Sequence, residues 1–297
     1  MSIKNQPSRR VEYLPYLLIL PGLILILVML VYPIIQGVAT SFFRPKGLLP
    51  GAGPFVGLDN YLRLLTDEEF WNALWVTLIY VFWCLVGALS IGLGTALLLN
   101  QRFKGRGLAR VIMTLPWAVP EVAAALIWIW MLNPDVGIVN LLATRLGLIT
   151  QHIRWLNQVE WALPTVLVIT IWKIFPFSSV VLLTALQSVS DELYEAAAID
   201  GANKFQSFLN ITIPGIRPTL LLLALLVTIW SIKRFALIWI TTQGGPVGKT
   251  ETLVIMVYRA AFKFFDLGYA AAIGVVGLFL SILVTVLFFW FQKRYAD

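Results

Sequence analysis

The chain is poor in the residues from which most enzyme sites are built. Its 297 residues include one cysteine, Cys84, and one histidine, His152. A single cysteine excludes a disulfide framework within the chain and a cysteine-based metal centre. Cys84 lies inside an apolar run and reads as packing. His152 stands in a polar connection with no cysteine beside it, and neither H-E-x-x-H nor C-x-x-C occurs anywhere. No nucleophile, base and orienter are spaced for hydrolysis, so the chain is expected to be no enzyme and to hold no metal. Charge is scarce too: 12% of residues are charged, against about a quarter in soluble domains. The net +7 is scattered among short connections and lines no single face, which argues against nucleic acid.

Apolar residues make up 59% of the chain, and they fall into six runs, about 14–38, 71–99, 111–132, 161–186, 218–241 and 267–291. Each run reaches the ~20 residues that cross ~30 Å of hydrocarbon. The expectation is an all-α membrane protein with six transmembrane helices in one domain, 1–297. The first run is long and lacks a small-residue cleavage site, so it reads as a retained helix. Six spans put both termini on one side. With the N-terminus inside, Lys and Arg number eleven in the interior connections and eight in the exterior ones. The bias is clearest in Lys4, Arg9 and Arg10 and in R-F-K-G-R-G-L-A-R after the second run, where seven cations face one acid, Glu12. Both termini are therefore assigned to the cytoplasm.

The stretch Q-G-G-P-V-G-K-T, Gln243 to Thr250, is one residue from a phosphate-binding loop, with Gln243 where the first glycine belongs. A predicted membrane helix precedes it where such a loop needs a strand, and the topology puts it outside. It reads as the end of the fifth span, leading into an exterior segment, Glu251 to Phe265, that faces an external partner.

The interior connection Gln187–Pro218, the coupling loop 187–217, is unusually ordered for a membrane loop. Ser190 is an N-cap, Asp191 and Glu192 suit a first helical turn, Ala196 to Ala198 propagate the helix and Gly201 stops it. A second short helix is expected over Lys204–Asn210, with Pro214 and Pro218 resetting the chain before the next span. The loop's acids, Asp191, Glu192, Glu195 and Asp200, disfavour simple adsorption to anionic lipid and favour docking to a cytoplasmic partner.

E-A-A-A-I-D-G-A followed by I-T-I-P resembles the E-A-A loop of permease subunits in binding-protein-dependent ABC importers. F-V-G-L-D-N-Y (Phe55 to Tyr61), L-P-W-A-V-P (Leu115 to Pro120), W-K-I-F-P-F (Trp172 to Phe177) and T-T-Q-G-G-P (Thr241 to Pro246) resemble its carbohydrate branch, of maltose and glycerol-phosphate type. The resemblance implies a MetI-like, type I importer permease in a bacterial or archaeal plasma or inner membrane. It implies a second related permease, a heterodimer with a homodimer left open, an extracytoplasmic solute-binding protein, and two cytoplasmic ATPases that bind the ATP and Mg. No cofactor is implied for this chain. Glu195, Ala196 and Ala197 would seat in the ATPase groove, Asp200 and Gly201 would form the turn after it, and Pro214 would complete the motif.

Ionisable residues at bilayer depth carry functional hypotheses. Glu121 and Lys173 count to the midplane of the third and fourth spans, and the favoured expectation is an ion pair; the other is that Lys173 meets solute. Lys233 and Arg234 fall in the outer half of the fifth span, about 100° apart around the helix, so one faces a cavity and the other finds a partner. Trp71, Trp117, Trp155, Trp161, Trp239 and Trp290 read as interfacial, whereas Trp128, Trp130, Trp172 and Trp230 lie deeper. Flat aromatic faces with a few polar groups suit a sugar. The substrate path is placed at Trp172, Lys173, Phe177, Ser178, Trp230, Ser231, Lys233 and Arg234, where relatives hold solute. Both a neutral oligosaccharide and an acidic sugar or polyol phosphate fit. The buried Glu121 keeps one rival, an ion-coupled secondary transporter of a small polar solute.

Overall fold

The computed structural model describes residues 14–45 and 53–294. Lys4, Arg9, Arg10, Glu12 and Lys46, on which part of the topology reading rests, lie outside them. Every regular element among the described residues is helical, apart from a single extended bridge between Phe43 and Phe55. The first span is α1, Tyr16–Thr40, and a short helix α2, Asp59–Thr66, follows it. The second span is α3, Glu68–Asn100, and the fourth is α7, Val159–Gln187, preceded by a short helix α6, Ile138–Arg145. The last is α12, Leu267–Arg294.

α3 starts where Asp67 accepts a hydrogen bond from the Glu69 amide at 2.9 Å, with Glu68 and Glu69 at the positive end of its first turn. Its 33 residues extend about 50 Å, more than the hydrocarbon needs. One stripe is buried, through Tyr80, Cys84, Ala88, Gly92 and Ala96, a four-residue step that keeps one face on α7. At its middle the stripe is small. A Cβ on Gly92 would sit 2.8 Å from Cβ of Ser178, so the α3–α7 approach requires glycine there.

Two expected spans have different shapes. The third is broken into α4, Arg106–Ala118, and α5, Glu121–Met131, bent by 97°. Pro120 has no N–H and pushes Val119 into extended backbone, φ −64° and ψ 132°, which ends α4. At about 20 Å and 16 Å, neither piece crosses hydrocarbon alone. The fifth span begins earlier than expected. α9 runs unbroken over Lys204–Ile232, absorbing the predicted separate helix and both prolines. A capping box between Asn203 and Gln206 starts it, and a π-helical stretch at Phe208–Thr212 loosens the ladder just before Pro214. It also ends earlier than expected, at Ile232, and α10, Ala236–Thr241, follows a break at Lys233–Phe235.

Four apolar clusters are buried among the described residues, the smallest of them Ala88, Ile174 and Val227. Leu64, Phe70, Met256 and Ile273 pack at one end of α3, Tyr80, Val166, Ile169 and Leu237 in the middle, and Leu99, Leu182, Leu186, Ile216 and Leu223 at the other. No residue in the most apolar window of α1 is buried, although its last turns, ending at buried Thr40, meet α12.

Candidate functional site

The intramembrane charges converge on the two helix breaks. In a continuous helix the Pro116 carbonyl would accept from the amide four residues on, but that residue is Pro120. The last carbonyls of α4 are thus left without partners. Lys173, buried on α7, fills this vacancy: its Nζ donates to the carbonyls of Pro116 at 3.0 Å, Trp117 at 2.8 Å and Val119 at 2.5 Å. Three donors meet three acceptors at the negative end of a helix.

Glu121 opens α5, where a carboxylate suits the positive helix end. Its Oε1 accepts from Nη1 of Arg234 at 2.7 Å, with side chains 34% and 11% exposed. The expected Glu121–Lys173 pair is therefore corrected. Each residue serves one side of the break at Val119–Pro120, and the acid's hydrogen-bonded partner is Arg234, in the break between α9 and α10. Lys233 caps α9 and is exposed. The neighbours do diverge, one to a partner and one outward.

The aromatic residues divide into separate groups. Phe177 lies between Trp117, at 5.8 Å between ring centroids, and Trp230, at 5.0 Å. Trp117, read from sequence as interfacial, stands beside the break; its signal was the adjacent Pro116 and Pro120. Trp172 meets Trp128 edge-on at 5.5 Å, with no ring contact to the Phe177 group. Ser178 is buried against Gly92 and Ser231 is buried as well, so both hydroxyls are enclosed in this conformation. Ser178 stands where α3 and α7 approach.

On the opposite side of α3 from its capped start, the predicted docking helix forms as α8, Asp191–Ile199, with the Ser190 hydroxyl accepting from the Glu192 amide. Gly201 has φ +80°, the left-handed stop. No residue of α8 is buried. Glu195, Ala196 and Asp200 are exposed, Ala197 is half-buried, and Pro214 is exposed within α9. One hydrogen bond, Tyr194 Oη to Thr212 Oγ1 at 2.9 Å, ties α8 to the π-helical turn of α9.

At the other end, Gln243–Thr250 is a closed turn: Thr242 and Thr250 share a hydroxyl hydrogen bond of 2.7 Å, and Asn72 of α3 donates to the Gly248 carbonyl at 2.9 Å. No strand precedes it. The segment after it, expected to face outward, is partly core, with Leu253, Ile255 and Met256 buried in α11, Leu253–Tyr258. Glu251 is buried and paired with Arg259 at 2.6 Å. Burial pushes its carboxyl above the ordinary value, and the guanidinium opposes that shift.

The described residues thus form a helical protein with several spans long and apolar enough to cross a membrane, one capped helix with no buried residue, and two helix breaks joined by an ion pair. Over residues 88–297 the chain matches the family described as binding-protein-dependent transport system inner membrane component, and it belongs to that family. It is 36% identical over 288 residues to the trehalose/maltose transport system permease protein MalF of Thermococcus litoralis, covering 96% of each chain. It is 35% identical over 275 residues to the sulfoquinovosyl glycerol transport system permease protein SmoG of Agrobacterium fabrum, covering 93% of this chain and 89% of that one. Among solved structures, a chain of a bacterial ABC transporter involved in import of the acidic polysaccharide alginate superposes with a TM-score of 0.81. It is 25% identical, over 96% of this chain and 97% of that one. The protein is thus a multi-pass membrane permease subunit of an ABC importer, a family of non-catalytic subunits, and the ion-coupled alternative has no support among these relationships.

Proposed function

We propose that the chain is the permease of an ATP-driven carbohydrate importer, with α8 as the element through which separate ATPase subunits move it. The single observation that carries this reading is α8 itself. It is a capped helix with no buried residue, joined to the fifth span by Tyr194–Thr212, so it is formed yet unpartnered within its own chain. Glu195, Ala196 and Ala197 seat in the ATPase, and Asp200, Gly201 and Pro214 fix the turn and the entry into α9. ATP and Mg belong to the ATPase pair, and this chain holds no catalytic site.

Because α9 runs unbroken from the loop, a push on α8 reaches the break at Lys233–Phe235 along one helix, as alternating access requires. The basic loop after α3 lies at the same end as α8, since Arg102 and Asp191 line one cavity. That supports cytoplasmic termini. A second, related permease completes the path, and an external binding protein delivers the solute. Sugar recognition falls to Trp117, Phe177 and Trp230 with Lys233, while Trp172 shapes the neighbouring wall. The charge of Arg234 is offset by Glu121 and the protons of Lys173 are spent on carbonyls, so a neutral oligosaccharide is the favoured cargo.

The test is uptake into vesicles holding the complete transporter. Uptake should stop without ATP and survive a protonophore, and Glu195→Lys should abolish it and release the ATPase while the chain stays folded. Normal coupling in Glu195→Lys would refute the role of α8.

A further inference from the structure

The polar cavity lined by Arg102 and Asp191, of about 460 Å³, lies between the loop after α3 and the end of α7, beside α8. Arg102 and Arg106 form one wall, and Gln187, Ser188 and Ser190 lie opposite. Arg106 is the first residue of α4, and its Nε and Nη2 are buried with no hydrogen-bond partner. Nε of Arg110, one turn on, is in the same state. Neither Arg102 nor Arg106 forms an ion pair, although Asp191 lines the same cavity. Arg102 and Arg106 thus bring two guanidinium groups with no carboxylate paired to them to one polar cavity, a setting that suits an acceptor-rich anion.

Position narrows its chemistry. No acidic residue occurs between Glu69 and Glu121, so the loop and α4 supply no counter-ion of their own. α4 exposes Leu108, Val111, Ile112 and Leu115, an apolar surface suited to acyl chains, while its N-terminus carries the arginines. Basic residues at the end of a lipid-facing helix lie at the level of phosphates, and the guanidinium fork matches phosphate oxygens.

We propose that this cavity binds a phosphate group through Arg102 and Arg106, supplied by an anionic phospholipid or by soluble phosphate. The bound group neutralises the arginines beside the helix that receives the ATPase stroke.

The experiment uses the intact transporter in nanodiscs of phosphatidylcholine, with either phosphatidylglycerol or inorganic phosphate added, and reads thermal stability and, for lipid, the number retained by native mass spectrometry. The expected result is stabilisation by one probe, with an apparent affinity about tenfold or more weaker in Arg102→Gln/Arg106→Gln. Lys104→Gln, which removes a charge from the same loop but does not line the cavity, should keep the response. A response to phosphatidylglycerol alone assigns the group to lipid, and a response to inorganic phosphate assigns it to the soluble pool. If the double variant does not fold, Arg106→Lys keeps the charge without the fork and should bind more weakly. The proposal is overturned if neither probe shifts the wild type, if the double variant, or Arg106→Lys in its place, responds as the wild type does, or if Lys104→Gln loses the response as fully as the double variant.

Discussion

At the scale of single residues, the buried cations act on backbone ends as well as on side chains. Lys173 supplies the donors that Pro120 cannot. Lys173→Met should leave three carbonyls short of a partner and destabilise the chain by about 1–3 kcal/mol, read as a lower melting temperature of the purified transporter. Glu121→Gln or Arg234→Met should reduce transport because each leaves a lone charge or an empty partner between two breaks. The exchanged pair, Glu121→Arg with Arg234→Glu, should recover part of it. No recovery would show that helix-end electrostatics, not the pair, set the geometry. The sequence showed that Glu121, Lys173 and Arg234 lie at membrane depth. It did not show which two pair, because counting residues along straight helices cannot register a 97° bend that turns Glu121 away from the α4 carbonyls.

At the scale of elements, legibility followed how local the cause was. α8 was readable to the residue, from Ser190 to Gly201, because capping and left-handed stops depend on nearest neighbours. The break in the third span was half-legible: Pro120 stood in L-P-W-A-V-P, but a proline inside an apolar run permits either a kink or a full turn. The break at Lys233–Phe235 carried no glycine or proline, and its marker is Arg234 reaching Glu121, 113 positions away. The early start of α9 was missed because Pro214 and Pro218 read as breakers, whereas the π-helical turn accommodates Pro214 and Pro218 sits inside the helix that continues from it. The α3–α7 contact gives a prediction at this scale. Gly92→Leu should separate the helices and cost about 1–3 kcal/mol, with lower yield of folded transporter; a wild-type melting temperature would show that the approach is looser than the geometry implies.

At the scale of the whole molecule, the chain is one part of a larger machine. Its first span has no buried residue in its most apolar window, and α8 buries none, so both leave surface for lipid or for neighbouring subunits. The arrangement of Lys173 and Arg234 bears on cargo. Uptake of a neutral oligosaccharide should exceed that of a uronide of equal length, and Glu121→Gln should shift the ratio toward the uronide by freeing the charge of Arg234. An unchanged ratio would remove Arg234 from the solute path. The sequence alone determined the solvent, the number of apolar segments, the helix α8 and the family, because hydropathy and capping are local properties summed along the chain. Only the tertiary structure decided which charges meet, where two spans break and which serines are enclosed. Those outcomes depend on helix ends brought together from distant positions, where a missing N–H in one segment is answered by an ammonium from another.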